Sequence, residues 1–221
     1  MRLYLQSAAL ADVSWAADIQ LVDGVLTSPA LLADEVGPSE MLGRLQEICR
    51  ATQGPVIASV TSIDADAMYR DGRDLARFGD QLVVEVPFVE EAIGTIRRLS
   101  GDGIRVAAGL VFNAAQALLA ARAGASTVIV PFRELDAHGQ SGTDALAEIR
   151  AVFDAAGTEC DVLALLPGTS GELAQCALAG ADAVAVSVGV LRRMLLHPLT
   201  DRGVDHFLNV LSHIPKARAG A

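Results

Sequence analysis

Glu85 interrupts an otherwise apolar run, Leu82-Val83-Val84-Glu85-Val86-Pro87, and a carboxylate set between valines needs a physical reason. On a strand it shares a face with Val83 and Pro87. Facing inward, it is stripped of water, and its pKa rises toward the neutral range where general acid/base groups work. Facing outward, it pairs with an arginine on a covering element. The polar residues at the ends of the other apolar runs are Gln6 and Ser7, Thr27 and Ser28, Ser59 and Thr61, Asn113, Arg133, Thr169 and Ser170, and Ser187. With Glu85 moving a proton, Gln6, Ser28 and Ser59 are the candidates for polarising a carbonyl or hydroxyl. Thr27, Thr61, Asn113, Arg133, Gly168, Thr169, Ser170 and Ser187 are the candidates for holding the ligand.

Other chemistries have weaker support. An imine needs a primary amine, and the only lysine is Lys216, in a C-terminal Pro-Lys-Ala-Arg-Ala-Gly-Ala tail that the sequence marks as mobile. Cys49, Cys160 and Cys176 are widely spaced in apolar stretches, which predicts buried thiols rather than a disulfide framework. No histidine and carboxylate pair has metal-ligand spacing, so neither a metal nor another cofactor is expected. His138 is the only histidine in a loop near the expected site, and no Ser-His-Asp arrangement can be drawn. Two segments suit an anion: Leu166-Pro167-Gly168-Thr169-Ser170-Gly171, and Ser187-Val188-Gly189 ahead of Arg192 and Arg193. Backbone N–H groups at glycine-rich helix starts favour phosphate, although the same residues serve as ordinary helix caps.

The elements that must position these residues alternate in type along the whole chain. Strand candidates are Leu3 to Ser7, Gly24 to Ser28, Val56 to Thr61, Leu82 to Pro87, Val106 to Val111, Thr127 to Pro131, Asp161 to Leu166 and Ala183 to Ser187. Their near-continuous apolar character fits strands covered on both faces. Helical periodicity lies between them at Ser39 to Thr52, Ala65 to Phe78, Val89 to Leu99, Ala114 to Ala123, Asp144 to Ala155 and Glu172 to Leu178. Glycines 79, 124, 157 and 180 follow four of these segments as C-caps. Eight strands, at about 27 residues per βα unit, predict a (β/α)8 TIM barrel with extra C-terminal helices. A doubly wound sheet is disfavoured, because no G-x-G-x-x-G turn follows the first strand. In a barrel, the site forms where the strands end.

Composition sets outer limits. The chain has 221 residues, 52 % of them hydrophobic and 20 % charged, which fits one domain over 1–221. Its net charge of −10 argues against a nucleic-acid partner. The N-terminus lacks a signal-peptide pattern and no run reaches the ~20 apolar residues of a membrane span, so a cytoplasmic protein with no membrane contact is expected. Val190 to His197 and Asp201 to Ile214 predict two further helices. The segment 198–221 carries Val204, Phe207, Leu208, Val210 and Leu211, more apolar surface than a free tail should expose.

Several stretches resemble the small transaldolase and fructose-6-phosphate aldolase family. They include Leu3-Tyr4-Leu5, Gly24-Val25-Leu26-Thr27-Ser28-Pro29, Val83-Val84-Glu85-Val86-Pro87, Asn113-Ala114-Ala115-Gln116-Ala117, Asp136-Ala137-His138-Gly139 and Ala177-Leu178-Ala179-Gly180-Ala181-Asp182. The resemblance implies a (β/α)8 barrel and a Schiff base between a strand-four lysine and a ketose carbonyl. The matching positions depart from that chemistry. Gln6 stands for an aspartate, Ser28 for an asparagine and Glu85 for the lysine. Gly109 stands for a threonine, Pro131 for a tyrosine, Glu134 for a phosphate-binding arginine and Leu166 for a serine. The resemblance also implies ring-shaped homo-oligomers, pentamers or decamers, joined through the C-terminal helix. Three readings follow: acid/base catalysis by Glu85 on a small sugar or sugar phosphate, a catalytically silent metabolite binder, and an oligomeric scaffold.

Overall fold

The computed structural model describes residues 1–213. Eight parallel strands close into one barrel in sequence order, with the last paired to the first. The first half runs β1 (Arg2–Gln6), α1 (Leu10–Asp18), β2 (Gly24–Thr27), α2 (Pro29–Val36), α3 (Met41–Ala51), β3 (Val56–Ser59), α4 (Ala65–Ala76), β4 (Leu82–Pro87) and α5 (Ala92–Gly101). The second half runs β5 (Val106–Gly109), α6 (Ala114–Ala123), β6 (Thr127–Pro131), α7 (Phe132–Ala137), α8 (Gly142–Ala156), β7 (Asp161–Leu165), α9 (Ser170–Leu178), β8 (Ala183–Ser187), α10 (Val188–Met194) and α11 (Pro198–His213).

The barrel follows from strict alternation along each strand. Leu5, Val25, Val56, Val84, Val106, Val128, Val162 and Val184 belong to the large cluster between strands and helices. Their neighbours Tyr4, Leu26, Ile57, Val83, Ala107, Ile129, Leu163 and Ala183 meet inside as a second cluster. β-Branched residues dominate the helix-facing side, while the inner face mixes Ile57, Val83 and Ile129 with leucine, alanine and tyrosine; both faces are apolar, as a sheet buried on both sides requires. Tyr4 plugs the lower end: its ring lies so close to Gly24 that a Cβ there would sit 2.7 Å from Cε1.

Several boundaries differ from the sequence-based expectation. β3 stops at Ser59 and β5 at Gly109, short of Thr61 and Val111. Leu110 and Leu166 each turn left-handed, at φ 57° and 60°, which ends β5 and β7 although the apolar run continues. The helices α1, α2 and α7 come in addition to those the periodicity marked. The four glycines expected as C-caps, Gly79, Gly124, Gly157 and Gly180, all have positive φ. Ile214 and the tail with Lys216 lie outside the described residues.

Two helix glycines make opposite predictions. On α4, a Cβ at Gly72 would lie 2.8 Å from Leu99 Cδ1 and 3.3 Å from Val84 Cγ1, both fully buried, whereas at Gly94 on α5 nothing lies within 4 Å. Overpacking costs about 1–3 kcal/mol and alanine returns about 1 kcal/mol of helix propensity. Gly72→Ala should therefore lose about 1 kcal/mol in urea unfolding, and Gly94→Ala should gain a similar amount.

Candidate active site

Glu85 lies inside the barrel. It continues the inward row of Val83, and its register partners are Ser59 on β3 and Ala107 on β5. Its Oε2 accepts a 2.5 Å hydrogen bond from Ser59 Oγ. No ion pair among the described residues includes it, so the arginine pairing is replaced by a neutral donor. Burial raises its pKa above the ordinary carboxylate value, and the Ser59 bond pulls it partly back.

The same alternation defines the ring above the apolar layer. Gln6, Ser59, Glu85, Gly109, Pro131, Leu165 and Ser187 point to the lumen side, and Gln6 and Ser187 are paired in register across β1 and β8. Glu85 is the only ionisable group in that ring. Its neighbour on the far side is Gly109, where a Cβ would collide with Glu85 Oε1. The carboxyl group thus spans the wall from β3 to β5.

Other candidate residues stand at the mouth with their side chains already engaged. Ser28 Oγ caps α2 through the Leu31 N–H, Asn113 Oδ1 caps α6 through Gln116, Thr169 Oγ1 caps α9 through Glu172, and Ser187 Oγ caps α10 through Val190. These four side chains each satisfy an orphan helix N–H. Ser170 is the exposed first residue of α9, and Arg133 is an exposed residue of α7.

Two assignments are corrected by geometry. Thr27 follows Val25 and faces the helical layer, where it is fully buried with its hydroxyl unpartnered, so it is not at the mouth. Thr61 lies beyond β3 and is tied to α4, with its hydroxyl donating to Asp71 Oδ2 at 2.7 Å and its N–H to the same oxygen at 3.1 Å. A cleft of about 670 Å³ between α3 and α4 is lined by both Ser59 and Thr61.

The anion loops have an unexpected occupant. The Gly168 N–H donates to Glu172 Oε2 at 2.5 Å, so a carboxylate of the protein holds the group that a phosphate would use. Thr169 Oγ1 accepts from the Glu172 N–H at 3.1 Å, and the Glu172 carboxylate reaches back to the Gly168 N–H, one residue before the cap, so the Thr-x-x-Glu spacing gives a shifted capping box. Arg133 remains nearby, with Cζ 3.5 Å from the position of a Cβ at Gly168. A cavity of about 190 Å³ is lined by Gly168, Thr169, Ser170, Val190, Arg193 and Met194. His138 is exposed and its Nδ1 meets the Glu134 carbonyl at 2.7 Å, while Ser141 caps α8.

Burial pushes the Cys160 and Cys176 thiols up to about 12, and all three cysteines are free and buried. No group of three His, Cys, Asp or Glu residues among the described residues could hold a metal ion. No described helix is long and apolar enough to cross a membrane.

Fold and site together define a (β/α)8 barrel protein with a carboxyl group in its lumen. The family model described as Transaldolase/Fructose-6-phosphate aldolase matches residues 5–218, and the chain belongs to that family. Relatives named "Probable transaldolase" include one from Hyphomonas neptunium, 40 % identical over 209 residues and covering 94 % of this chain and 95 % of its own. One from Kosmotoga olearia is 36 % identical over 209 residues, covering 95 % of each chain. Among solved structures, a cube-shaped protein cage designed by fusing symmetric oligomeric domains aligns with TM-score 0.59 at 21 % identity. That match covers 85 % of this chain and 63 % of the cage chain, and it speaks to the fold alone.

The raised pKa of Glu85 carries a stability consequence. Its folded form holds the proton more tightly than the unfolded chain, so the favourable contribution is complete below the ordinary glutamate pKa and is lost as pH rises through the raised value. Glu85→Gln removes that loss. In denaturant unfolding, the variant should gain on the wild type as pH goes from acid to neutral, and a difference independent of pH would contradict the buried site.

Proposed function

We propose that this family member has exchanged imine chemistry for acid/base chemistry, with Glu85 moving a proton on a small sugar or sugar phosphate. The observation that carries the reading is the position of Glu85 in the lumen, held by Ser59 and free of any cation among the described residues. Glu85 stands where the resemblance places the imine-forming lysine, and a carboxyl group cannot form an imine. A carboxylic acid with a raised pKa can donate to a carbonyl oxygen, and its conjugate base can take a proton from the adjacent carbon. That suits an isomerase, epimerase or lyase reaction.

In this reading Gln6 orients the ligand, with Ser28 and Ser187 contributing hydroxyl protons that their capping bonds leave free. Arg133 and Arg193 supply positive charge beside Gly168, Thr169 and Ser170 for a phosphate. Asn113 is the remaining polar side chain of the rim. Binding a phosphate at Gly168 requires Glu172 to release the N–H it now holds. An unphosphorylated sugar makes no such demand.

The test is thermal unfolding against a panel of small ketoses, aldoses and their phosphates, followed by turnover assays on the ligand that stabilises. Glu85→Gln should keep the thermal shift while turnover falls by about 10²–10⁴-fold, the usual worth of a general acid/base. Borohydride added during turnover should leave the intact mass of the protein unchanged. A reduced sugar adduct on a barrel residue would overturn the proposal.

An oligomeric role has its own support in α11. Its described residues are all exposed, among them Leu199, Val204, Phe207, Leu208, Val210 and Leu211. Such a helix face needs a partner. Taking 1–221 as one domain, the reading assigns segment 198–221 to contacts between copies of a cytoplasmic ring, a pentamer or decamer. Light scattering should give the mass of five or ten chains, and Phe207→Ser with Leu211→Ser should reduce it. A monomer in the wild type would remove this reading and leave the catalytic one untouched.

A further inference from the structure

We propose that Gly109 is a positioning residue for Glu85: the missing side chain on β5 leaves the slot into which the carboxyl group folds, and that slot seats Oε2 on Ser59. The backbone gives no other reason for glycine. Gly109 is absent from the residues with positive φ, so its extended conformation is open to any L-residue. The obstacle is a side chain. A Cβ built there meets Glu85 Oε1 in collision and lies 3.2 Å from both Cδ and Cγ, and these are the three nearest atoms.

The slot works together with the register. Ser59 and Glu85 are direct partners across β3 and β4, and Gly109 pairs with Pro87, one inward position above Glu85. The side chain therefore lies across the wall, with Oε2 on the β3 side and Oε1 over β5. The inward groups packed around it are Val83, Ser59, Pro87, Ala107 and Gly109, none of them titratable. Burial raises its pKa, and the Ser59 hydroxyl opposes that rise. A methyl group at position 109 pushes the carboxyl group out of the slot toward the open mouth, where it gains water and leaves Ser59.

The inference rests on the proposed function only for the catalytic meaning of the positioned proton. Its test is direct titration of the Glu85 carboxyl carbon by NMR in the full chain labelled with ¹³C-carboxyl glutamate, the resonance being identified by its loss in Glu85→Gln. Gly109→Ala should lower the midpoint toward that of an ordinary glutamate. Ser59→Ala, which removes the donor and keeps the burial, should raise it. Opposite shifts are expected from the slot, and an unchanged midpoint in Gly109→Ala would overturn it. Thermal unfolding gives a second measure: Gly109→Ala should lower Tm beside Glu85 and leave it unchanged in the Glu85→Ala background. Equal losses in both backgrounds would also overturn the proposal. If titration behaves as expected and no sugar is turned over, positioning stands and the catalytic reading falls.

Discussion

A carboxyl group inside a parallel barrel must find a cation, a hydrogen-bond donor or its proton, because an unpaired charge removed from water costs several kcal/mol. Glu85 takes the second, and burial shifts it toward the third. Ser59 Oγ supplies the donor on one side, and the apolar layer of Val83, Ile57 and Ala107 beneath it makes the charged form costly. Much of the upper barrel is organised around that choice. Gly109 leaves room, and Pro131 and Leu165 across the ring add no charge that would compete for the carboxyl group.

The rim shows a second tension, between holding helices and holding a ligand. Each βα loop delivers the N-terminus of a helix to the mouth, where N–H groups need partners. Ser28, Asn113, Thr169 and Ser187 meet that need with their own side chains. Glu172 goes further and occupies the Gly168 N–H, so the β7 loop carries its own anion. Leu110 and Leu166 hold left-handed backbone directly after β5 and β7, a conformation that costs a leucine about 1–3 kcal/mol. Both lie on the face where the site forms.

The sequence made the barrel legible because its strands are continuous apolar runs closed by glycine and polar punctuation. β4, β6 and β8 have the boundaries that the pattern predicts. β5 was overextended because Leu110-Val111-Phe112 prolongs the apolar run, and only the backbone shows the turn at Leu110. The short helices α1, α2 and α7 are missed where apolar residues crowd without a clean helical stripe. At the site, Glu85 is legible as a misplaced charge sharing a face with Val83 and Pro87, while only the closed barrel shows that this face is the lumen. Ser28, Asn113, Thr169 and Ser187 are ambiguous in principle, because the residues that cap helices are those that bind ligands. The role of Gly109 depends on a distance across neighbouring strands, which no local pattern encodes.

On the proposed mechanism, Glu85 moves a proton to or from substrate carbon. Incubation of the protein with small ketose and aldose phosphates and free sugars in deuterated water, followed by proton NMR, tests it most directly. The account predicts that one of them loses a carbon-bound proton signal at a rate set by the wild type and lost in Glu85→Gln. Exchange that continues undiminished in Glu85→Gln would contradict it.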